Sequence, residues 1–257
     1  MSDKIVRFES DSEIFWGIYD ESELSIKVIE GSLFDSYAVS EKKFDLEDVR
    51  LLAPVQPEKI ICVGLNYHKH VSHSQSADKA PEEPLLFMKP PSSLLGHEGT
   101  VIYPDFVDRV DYEAELGVVI GKKIRNVTPD EAAGAVWGLT CVNDVTARHL
   151  QKKDGQWTRA KGFDTFCPVG PWVITDTDWS DLKVEAYLNG ELKQSGRTSD
   201  MIFKPEVLIS FISKVMTLKP GDLISTGTPE GIDPMKVGDK IEVVVENVGR
   251  LINYIGE

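Results

Sequence analysis

The sequence predicts a mainly β fold with some helices, in the α+β class, rather than a doubly wound parallel sheet. Short runs of β-branched and aromatic residues, separated by turn residues, follow one another along most of the chain. Helical periodicity is confined to a few segments, and neither GxGxxG nor GxxxxGK[ST] occurs, so nucleotide binding has no motif support. We therefore expect a sandwich, roll or barrel of short strands.

Composition and charge bound the class of protein. With 257 residues, 41% hydrophobic and 27% charged, the chain can bury a globular core. Its 42 acidic and 28 basic residues give a net charge of −14, which argues against a nucleic-acid partner and an anionic membrane surface. Residues 1–11 lack the apolar core of a secretory signal, and no apolar run approaches the roughly 20 residues that span a bilayer. We expect a cytoplasmic protein.

The cysteines favour a reducing compartment. Cys62, Cys141 and Cys167 lie far apart in apolar contexts, and they form no CxxC pair. Because free cysteine is among the most buried residue types, we interpret them as reduced core residues rather than disulfide or zinc ligands.

The N-terminal 53 residues are expected to form a small β-rich module, with strand-like stretches at 5–8, 14–19 and 24–29. Pro54 and Pro57 break this pattern before a new strand at 60–63, so residues 57–257 are expected to form the main domain. The composition of the module leaves open whether it regulates, dimerises or covers one edge of the main sheet.

Turn and capping signals place the other elements. Segment 66–84 carries three histidines and two prolines without apolar periodicity, and it predicts a mobile loop with a short helix. Thr128, followed by Pro129 and Glu131, has the pattern of a capping box and predicts a helix running toward Trp137. A second helix follows Pro205, with apolar residues at helical spacing between 208 and 216. The pair at 189–190, Asn-Gly, predicts a β-hairpin.

Three carboxylates are candidate metal ligands. Glu113 and Glu115 stand two apart in a stretch that otherwise has the character of a buried strand, so they share one face. Two buried carboxylates need a cation or a shared proton, although ordinary surface glutamates have the same spacing. Asp144 ends an apolar strand, and three oxygen ligands describe an open Mg²⁺ or Mn²⁺ site. Calcium is less favoured, since no EF-hand spacing is present.

Two further features suit a bound anion. Lys161 is flanked by small and aromatic residues and could hold an oxyanion, but an isolated lysine is more often on the surface. The segment 226–229, Thr-Gly-Thr-Pro, has hydroxyls and backbone N–H groups suited to a carboxylate, and it is equally the sequence of a tight turn.

The histidines allow a different enzyme class. His68, His70 and His73 have the spacing of the HxHxDH motif of metallo-β-lactamase-like hydrolases, with Ser72 in place of the aspartate. The alternative is that each is a solvated loop residue.

Five ordered motifs resemble the fumarylacetoacetate hydrolase (FAH) family over about residues 57–257, in particular its short acylpyruvase, oxaloacetate decarboxylase or tautomerase, and homoprotocatechuate-pathway isomerase/decarboxylase members. They are GLNYHKH at 64–70, LLFMKP at 85–90, YEAELG at 112–117, NDVTAR at 143–148 and TGTPEG at 226–231. The resemblance implies a mixed β-sandwich roll, a homodimer or higher oligomer, and Mg²⁺ or Mn²⁺ held by Glu113, Glu115 and Asp144.

The resemblance also implies roles for other side chains. Lys161 and Gln151 match positions that contact substrate, Thr228 matches one that holds a carboxylate, and Lys89 is interpreted as structural or peripheral. His70 matches a catalytic histidine on a mobile lid. His73 stands where similar enzymes usually have a glutamate that orients a water, unless Glu82 or Glu83 reaches in from the same loop.

These parts suit a small 2-oxo acid, 2-oxo dicarboxylate or acylpyruvate that reacts through a metal-stabilised enolate. Hydrolytic cleavage, decarboxylation and tautomerisation all remain open, and His73 favours the last two, because neither needs a positioned nucleophilic water. The rival hypothesis is a non-catalytic protein that keeps the fold and the metal ligands and has lost turnover.

Overall fold

The computed structural model describes residues 2–68 and 80–257. The strands are β1 (Lys4–Ser10), β2 (Glu13–Asp20), β3 (Ser25–Gly31), β4 (Tyr37–Asp45), β5 (Arg50–Leu52), β6 (Ile60–Gly64), β7 (Leu85–Lys89), β8 (Leu94–Leu95), β9 (Thr100–Ile102), β10 (Val110–Asp111), β11 (Ala114–Ile120), β12 (Val136–Asn143), β13 (Thr146–Ala147), β14 (Cys167–Ile174), β15 (Lys183–Leu188), β16 (Glu191–Arg197), β17 (Leu223–Ser225), β18 (Pro234–Met235), β19 (Lys240–Val245) and β20 (Gly249–Gly256). The helices are α1 (Pro129–Ala133), α2 (Arg148–Asp154), α3 (Thr158–Lys161) and α4 (Pro205–Val215), with single 3₁₀ turns at Leu46–Asp48, Pro91–Ser93 and Thr198–Asp200.

The described residues form three sheets, of which two are mixed and the smallest is antiparallel. The largest has 12 strands, in the order β4-β3-β2-β1-β14-β12-β11-β17-β6-β7, with β5 on β1 and β8 on β14. A five-stranded sheet has the order β16-β15-β19-β20-β9, and a small third sheet joins β13, β10 and β18. Most neighbours are antiparallel, whereas β6 with β17, β8 with β14, and β9 with β20 are parallel. The predicted mainly β, α+β fold is confirmed.

The N-terminal strands continue the large sheet. β1 pairs with β14, with Lys4 opposite Ile174, so the meander β1 to β4 extends one edge of the sheet that also contains the central strands. An aromatic cluster of Phe8, Phe15 and Phe44 closes this end, with ring centroids 5.3 to 5.5 Å apart. These strands cover the β14 edge of the large sheet, and the regulatory and dimerising roles stay predictions.

The centre of the large sheet is apolar on both faces. Every residue of β11 is buried, and β12 is buried from Gly138 to Asn143, which explains their nearly continuous apolar sequences. Burial on both sides makes the ends of these strands rigid places from which to present polar side chains.

Local sequence signals are confirmed in part. Asn189 and Gly190 have φ of 53° and 82° and join β15 to β16, and Thr128 and Glu131 form both bonds of the capping box. The helix that follows Thr128 ends at Ala133, so the predicted extension toward Trp137 is wrong. Trp137 lies instead in β12, because pairing with β11 and β14 outweighs helix propagation there.

Other expectations about buried residues can be compared with the structure. Cys62, Cys141 and Cys167 are buried free thiols, as expected. Of the apolar stripe predicted after Pro205, Leu208 and Ile212 are buried, Phe211 and Met216 are partly buried, and Val215 is exposed, so the expectation that Val215 lies in the core is wrong. No helix within residues 2–68 and 80–257 is long and apolar enough to cross a membrane.

Candidate active site

Strand pairing brings the three predicted acidic ligands together. Glu113 immediately precedes β11, Glu115 lies within it, and Asp144 follows the last residue of β12. The backbone N–H of Asp144 donates to the carbonyl of Glu113 at 2.9 Å, which fixes the two strand ends side by side. One oxygen of each carboxylate lies within 4.8 Å of the others, and all three side chains are buried. We call Glu113, Glu115 and Asp144 the acidic cluster.

Three cationic side chains contact the acidic cluster. Lys161, at the end of α3, donates to Oε2 of Glu113 at 2.8 Å and to Oδ2 of Asp144. Lys89, the last residue of β7, donates to Oδ1 of Asp144 at 2.6 Å. Arg148, the first residue of α2, donates from Nη2 to Oε1 of Glu113 at 2.5 Å. Three positive side chains therefore face the three carboxylates of the acidic cluster.

The structure revises two expectations about the lysines. Lys161 is 2% exposed, so the surface alternative for it is wrong. Lys89 was interpreted as structural or peripheral; it is 1% exposed and bonded directly to Asp144, so the peripheral alternative is wrong. Both lysines are tolerated in the interior because buried carboxylates face their ammonium groups.

Arg148 is a site residue that the sequence did not single out. Besides Glu113, its guanidinium donates to Oδ2 of Asp111 at 2.8 Å and to Oε1 of Gln151 at 2.6 Å. The sequence feature that could have identified Arg148 is its position three residues before Gln151 on the helix that follows Asp144, where the two side chains share a helix face. Its bonds orient Glu113 and Gln151 together.

The charges of the cluster are unevenly balanced. Burial raises the pKa of Glu113, but the positive charges of Lys161 and Arg148 outweigh burial and hold that pKa well below its ordinary value. For Glu115, burial and the negative charges of Asp144 and Glu113 raise the pKa to about 8. Glu115 is the cluster member whose charge the protein compensates least.

The donor set fits a divalent metal. Glu115 is held by Ser225 Oγ at 2.5 Å and by the backbone N–H of Gly227 at 2.8 Å, both through Oε2, so its orientation is fixed. Three carboxylates with no histidine or cysteine among them are the hard oxygen ligands that Mg²⁺ and Mn²⁺ prefer. A dication would supply the positive charge that the raised pKa of Glu115 shows to be lacking.

A small cavity of about 30 Å³ lies against the acidic cluster. Besides Glu113 and Glu115 it is lined by Gly64, Phe87, Gln151, Trp157, Lys161 and Thr228, among others. Phe87, Gln151 and Trp157 also line a wide groove of about 1090 Å³ that leads outward. The rings of Phe87 and Trp157 meet edge to face at 5.2 Å, so this aromatic pair stands between the cavity and the groove.

The predicted substrate-binding residues both line the cavity. Gln151 is 8% exposed and receives its hydrogen bond from Arg148. The hydroxyl of Thr228 donates to the carbonyl of Ala114 at 2.8 Å and accepts from Nε2 of Gln194 at 2.8 Å. The hydroxyl proton of Thr228 is therefore used within the protein, and the expected role of Thr228 in holding a carboxylate stays a prediction.

Of the three histidines considered as catalytic or metal-binding residues, the structure describes His68 alone. His70 and His73 lie outside the described residues, and their predicted catalytic roles stay predictions. His68 is exposed and lines a separate cavity of about 330 Å³ together with Tyr67 and Lys204.

Comparison with known families gives two matches. A family model described as fumarylacetoacetate (FAA) hydrolase C-terminal matches residues 59–256, and one described as Rv2993c-like, N-terminal matches residues 3–54.

Named relatives and solved structures agree with these matches. The chain is 50% identical over 201 residues to the uncharacterized protein MJ1656 of Methanocaldococcus jannaschii, covering 78% of this chain and 84% of the relative. It is 42% identical over 227 residues to oxaloacetate tautomerase YisK of Bacillus subtilis, covering 83% and 75%. The structure of 5-carboxymethyl-2-hydroxymuconate delta-isomerase from Mycobacterium smegmatis superposes with a TM-score of 0.91 at 40% identity, covering 98% and 99% of the two chains.

These matches decide between the hypotheses that the sequence left open. They leave the metallo-β-lactamase-like alternative without support, and they favour an enzyme over a non-catalytic binding protein, because the relatives with named activities are enzymes. The family model covers more than half of the chain and includes the acidic cluster with Lys89, Arg148 and Lys161. The chain is an enzyme that belongs to the fumarylacetoacetate hydrolase family.

Proposed function

We propose that this enzyme is a Mg²⁺- or Mn²⁺-dependent isomerase that interconverts the keto and enol forms of a small 2-oxo dicarboxylate such as oxaloacetate. The observation that carries the proposal is the position of Lys161, whose buried ammonium group bonds two members of the acidic cluster and also lines the adjoining cavity. A positive charge is thereby fixed beside the place where a 2-oxo acid would develop negative charge on oxygen.

Glu113, Glu115 and Asp144 would hold the metal ion. When bound there, a divalent ion supplies a Lewis acid that makes the C–H next to a 2-oxo group more acidic. The protein contributes fixed ligand positions, since β11 and β12 are buried and the Glu115 carboxylate is held by Ser225 and Gly227.

Lys161 binds and orients the substrate oxygen. Burial alone would lower its pKa, but the charges of Asp144 and Glu113 outweigh that effect and raise it, so the side chain stays an ammonium ion. Two of its three N–H groups bond to Glu113 and Asp144. The third is left to donate to an enolate oxygen, and this bond strengthens as negative charge develops there.

Other residues exclude water and select the ligand. Phe87 places its ring 4.9 Å from the Lys161 ammonium and packs against Trp157, which keeps bulk solvent from this charge. Gln151 presents an amide to the cavity, with Arg148 fixing which way the amide points. Lys161, Arg148 and Lys89 balance the three carboxylates of the acidic cluster, so a bound divalent ion would leave the site positively charged and would favour an anionic substrate.

His70 is the group that we propose moves the proton at the carbon next to the 2-oxo group, as the family resemblance implies. His73 stands where a water-orienting glutamate is usual in similar hydrolases, so proton transfer without an attacking water is the favoured outcome. The named activities of similar proteins, oxaloacetate tautomerase and a delta-isomerase, agree with an isomerisation.

The test follows the decay of freshly dissolved oxaloacetate enol to the keto form by proton NMR. We expect acceleration by the Mg²⁺-loaded protein, none by EDTA-treated protein, and loss of acceleration in Glu115→Gln. Lys161→Met should lower the rate about 100-fold, the usual effect of removing one donor to a developing oxyanion. Glu131→Gln is the matched control, since Glu131 lies in the exposed capping box.

The same spectra separate the alternatives. Pyruvate formed faster than by free Mg²⁺ would assign decarboxylation, and acetate with pyruvate from acetylpyruvate would assign hydrolysis. Unchanged enol decay with loaded enzyme would sink the proposal.

A further inference from the structure

A second cavity lies where the N-terminal strands meet the main domain. It has a volume of about 480 Å³ and lies between β1 and β5 on one side and residues 91–96 on the other. It shares no lining residue with the cavity at the acidic cluster. Its volume is typical of small-molecule sites. We call it the junction cavity.

Arg7 of β1 gives the junction cavity an unpaired positive group. Its Nε is buried without a hydrogen-bond partner. Within residues 2–68 and 80–257 its guanidinium forms no ion pair. Burial, and after it the nearby positive charge of Arg50, lower the pKa of Arg7. A buried donor of this kind is normally satisfied by an acceptor.

Charge around the cavity is positive. Arg50 also lines it and pairs with Glu9 through Nη2. None of the described residues that line the cavity is acidic, and Gln56 is the other polar side chain among them. In a chain of net charge −14, two arginines with a single carboxylate partner form a local excess of positive charge that attracts an anion.

The walls show what kind of anion fits. Leu52 and Val55 line one side, and Leu94 and Leu95 line the other, so most of the surface away from the arginines is apolar. A guanidinium group presents a planar fork of donors that matches a carboxylate. The cavity therefore suits a molecule with a carboxylate at one end and an apolar body.

Gly96 marks a close approach at one edge of the junction cavity. A Cβ on Gly96 would lie 2.9 Å from the backbone nitrogen of Ala53, which is too close, so the two walls meet backbone to backbone at this point.

We propose that the junction cavity binds a small organic acid, whose carboxylate Arg7 and Arg50 hold while its apolar body packs against the leucine walls. This site is separate from the acidic cluster and needs no metal ion.

The probe is 4-fluorobenzoate, followed by ¹⁹F NMR on the full-length protein in EDTA. We expect saturable binding of 4-fluorobenzoate and much weaker binding of the neutral 4-fluorobenzamide. Arg7→Gln should weaken the affinity about tenfold, as expected for the loss of a charged hydrogen bond. Arg50→Gln should act in the same direction; since the Arg50 side chain is 70% exposed, this variant is expected to fold. Arg197→Gln, on β16 with Asp181 as partner, is the matched control.

Several outcomes overturn the proposal. Equal binding of 4-fluorobenzamide would remove the role of the charge, and unchanged affinity in a folded Arg50→Gln protein would remove the role of the arginine pair. Loss of binding in Glu115→Gln would place the probe at the acidic cluster instead. Inorganic phosphate binding as tightly as 4-fluorobenzoate would overturn the assignment to an organic acid.

Discussion

The ammonium group of Lys89 lies 2.6 Å from Oδ1 of Asp144, with both side chains excluded from solvent. Lys89 ends β7 at the edge of the large sheet, whereas Asp144 follows β12 in the centre of that sheet. The ion pair therefore joins distant strands of one sheet at the acidic cluster, and it uses the carboxylate oxygen of Asp144 that Lys161 does not bond.

Replacing Lys89 should weaken both folding and metal binding. Lys89→Met leaves one oxygen of a buried carboxylate without its cation, so we expect the free energy of unfolding to fall by about 3 kcal/mol. Lys219→Met removes an exposed lysine that pairs with Glu58 and should leave the free energy of unfolding nearly unchanged. Urea unfolding measures the free energy of unfolding of both variants. Mn²⁺ titration should show reduced affinity in Lys89→Met alone. An equal loss of unfolding free energy in the two variants would contradict the importance of the buried pair.

Trp157 should control the size of the substrate. It separates the small cavity from the wide groove, and Gly64 leaves it room, since a Cβ there would lie 2.7 Å from the indole. Trp157→Ala should raise the ratio of kcat/KM for 2-oxoadipate over oxaloacetate about tenfold, the usual effect of one or two methylenes. Deuterium exchange at C3, followed by NMR, gives both rates. Trp16→Ala in β2 is the control, and an unchanged ratio in the Trp157 variant would show that other residues set the size limit.

Several elements of this fold could be predicted because their causes are local. The Asn189-Gly190 hairpin, the Thr128 capping box and the burial of β11 each follow from residues adjacent in sequence. The helix after Thr128 was predicted too long, because the residues from Val136 onward pair as strand β12 of the large sheet.

The acidic cluster was predictable for a similar reason, since the strand alternation places Glu113 and Glu115 together. The positive side chains that contact the acidic cluster were harder to predict. Lys89 and Lys161 reach Asp144 across 55 and 17 residues of sequence, and no local pattern distinguishes a buried lysine from a surface one. The family resemblance implied a role for Lys161 although that residue lies outside the five motifs, whereas the contact of Lys89 with Asp144 is visible in the structure alone.

His97 should make stability depend on pH. Its Nδ1 accepts a hydrogen bond from the backbone N–H of Ile252 at 3.1 Å, which requires a neutral ring, and burial lowers its pKa although Glu98 acts in the other direction. As the pH falls below about 6.5, the ordinary pKa of histidine in an unfolded chain, the unfolded chain binds a proton before the folded protein does. The contribution of His97 to the free energy of unfolding is therefore present above that pH and is lost as the pH falls toward the lower pKa of His97 in the folded protein. Urea unfolding between pH 5 and 8 should show a smaller acid loss in His97→Gln than in wild type. Parallel curves would contradict this role.

Asn66 should be essential for the structure around the acidic cluster. Its buried amide donates to the carbonyls of Thr226 at 2.7 Å and Phe203 at 3.0 Å and accepts from the backbone N–H of Phe203 at 2.8 Å; the bond to Thr226 is buried and those with Phe203 are partly buried. Asn66→Ala leaves these buried groups unpaired, so we expect a loss of about 3 kcal/mol in unfolding free energy, together with weaker Mn²⁺ binding through the displaced 226–228 segment. Asn189→Ala, at an exposed hairpin, is the control for losing an asparagine. If both variants unfold at the same urea concentration, the buried bonds of Asn66 contribute little.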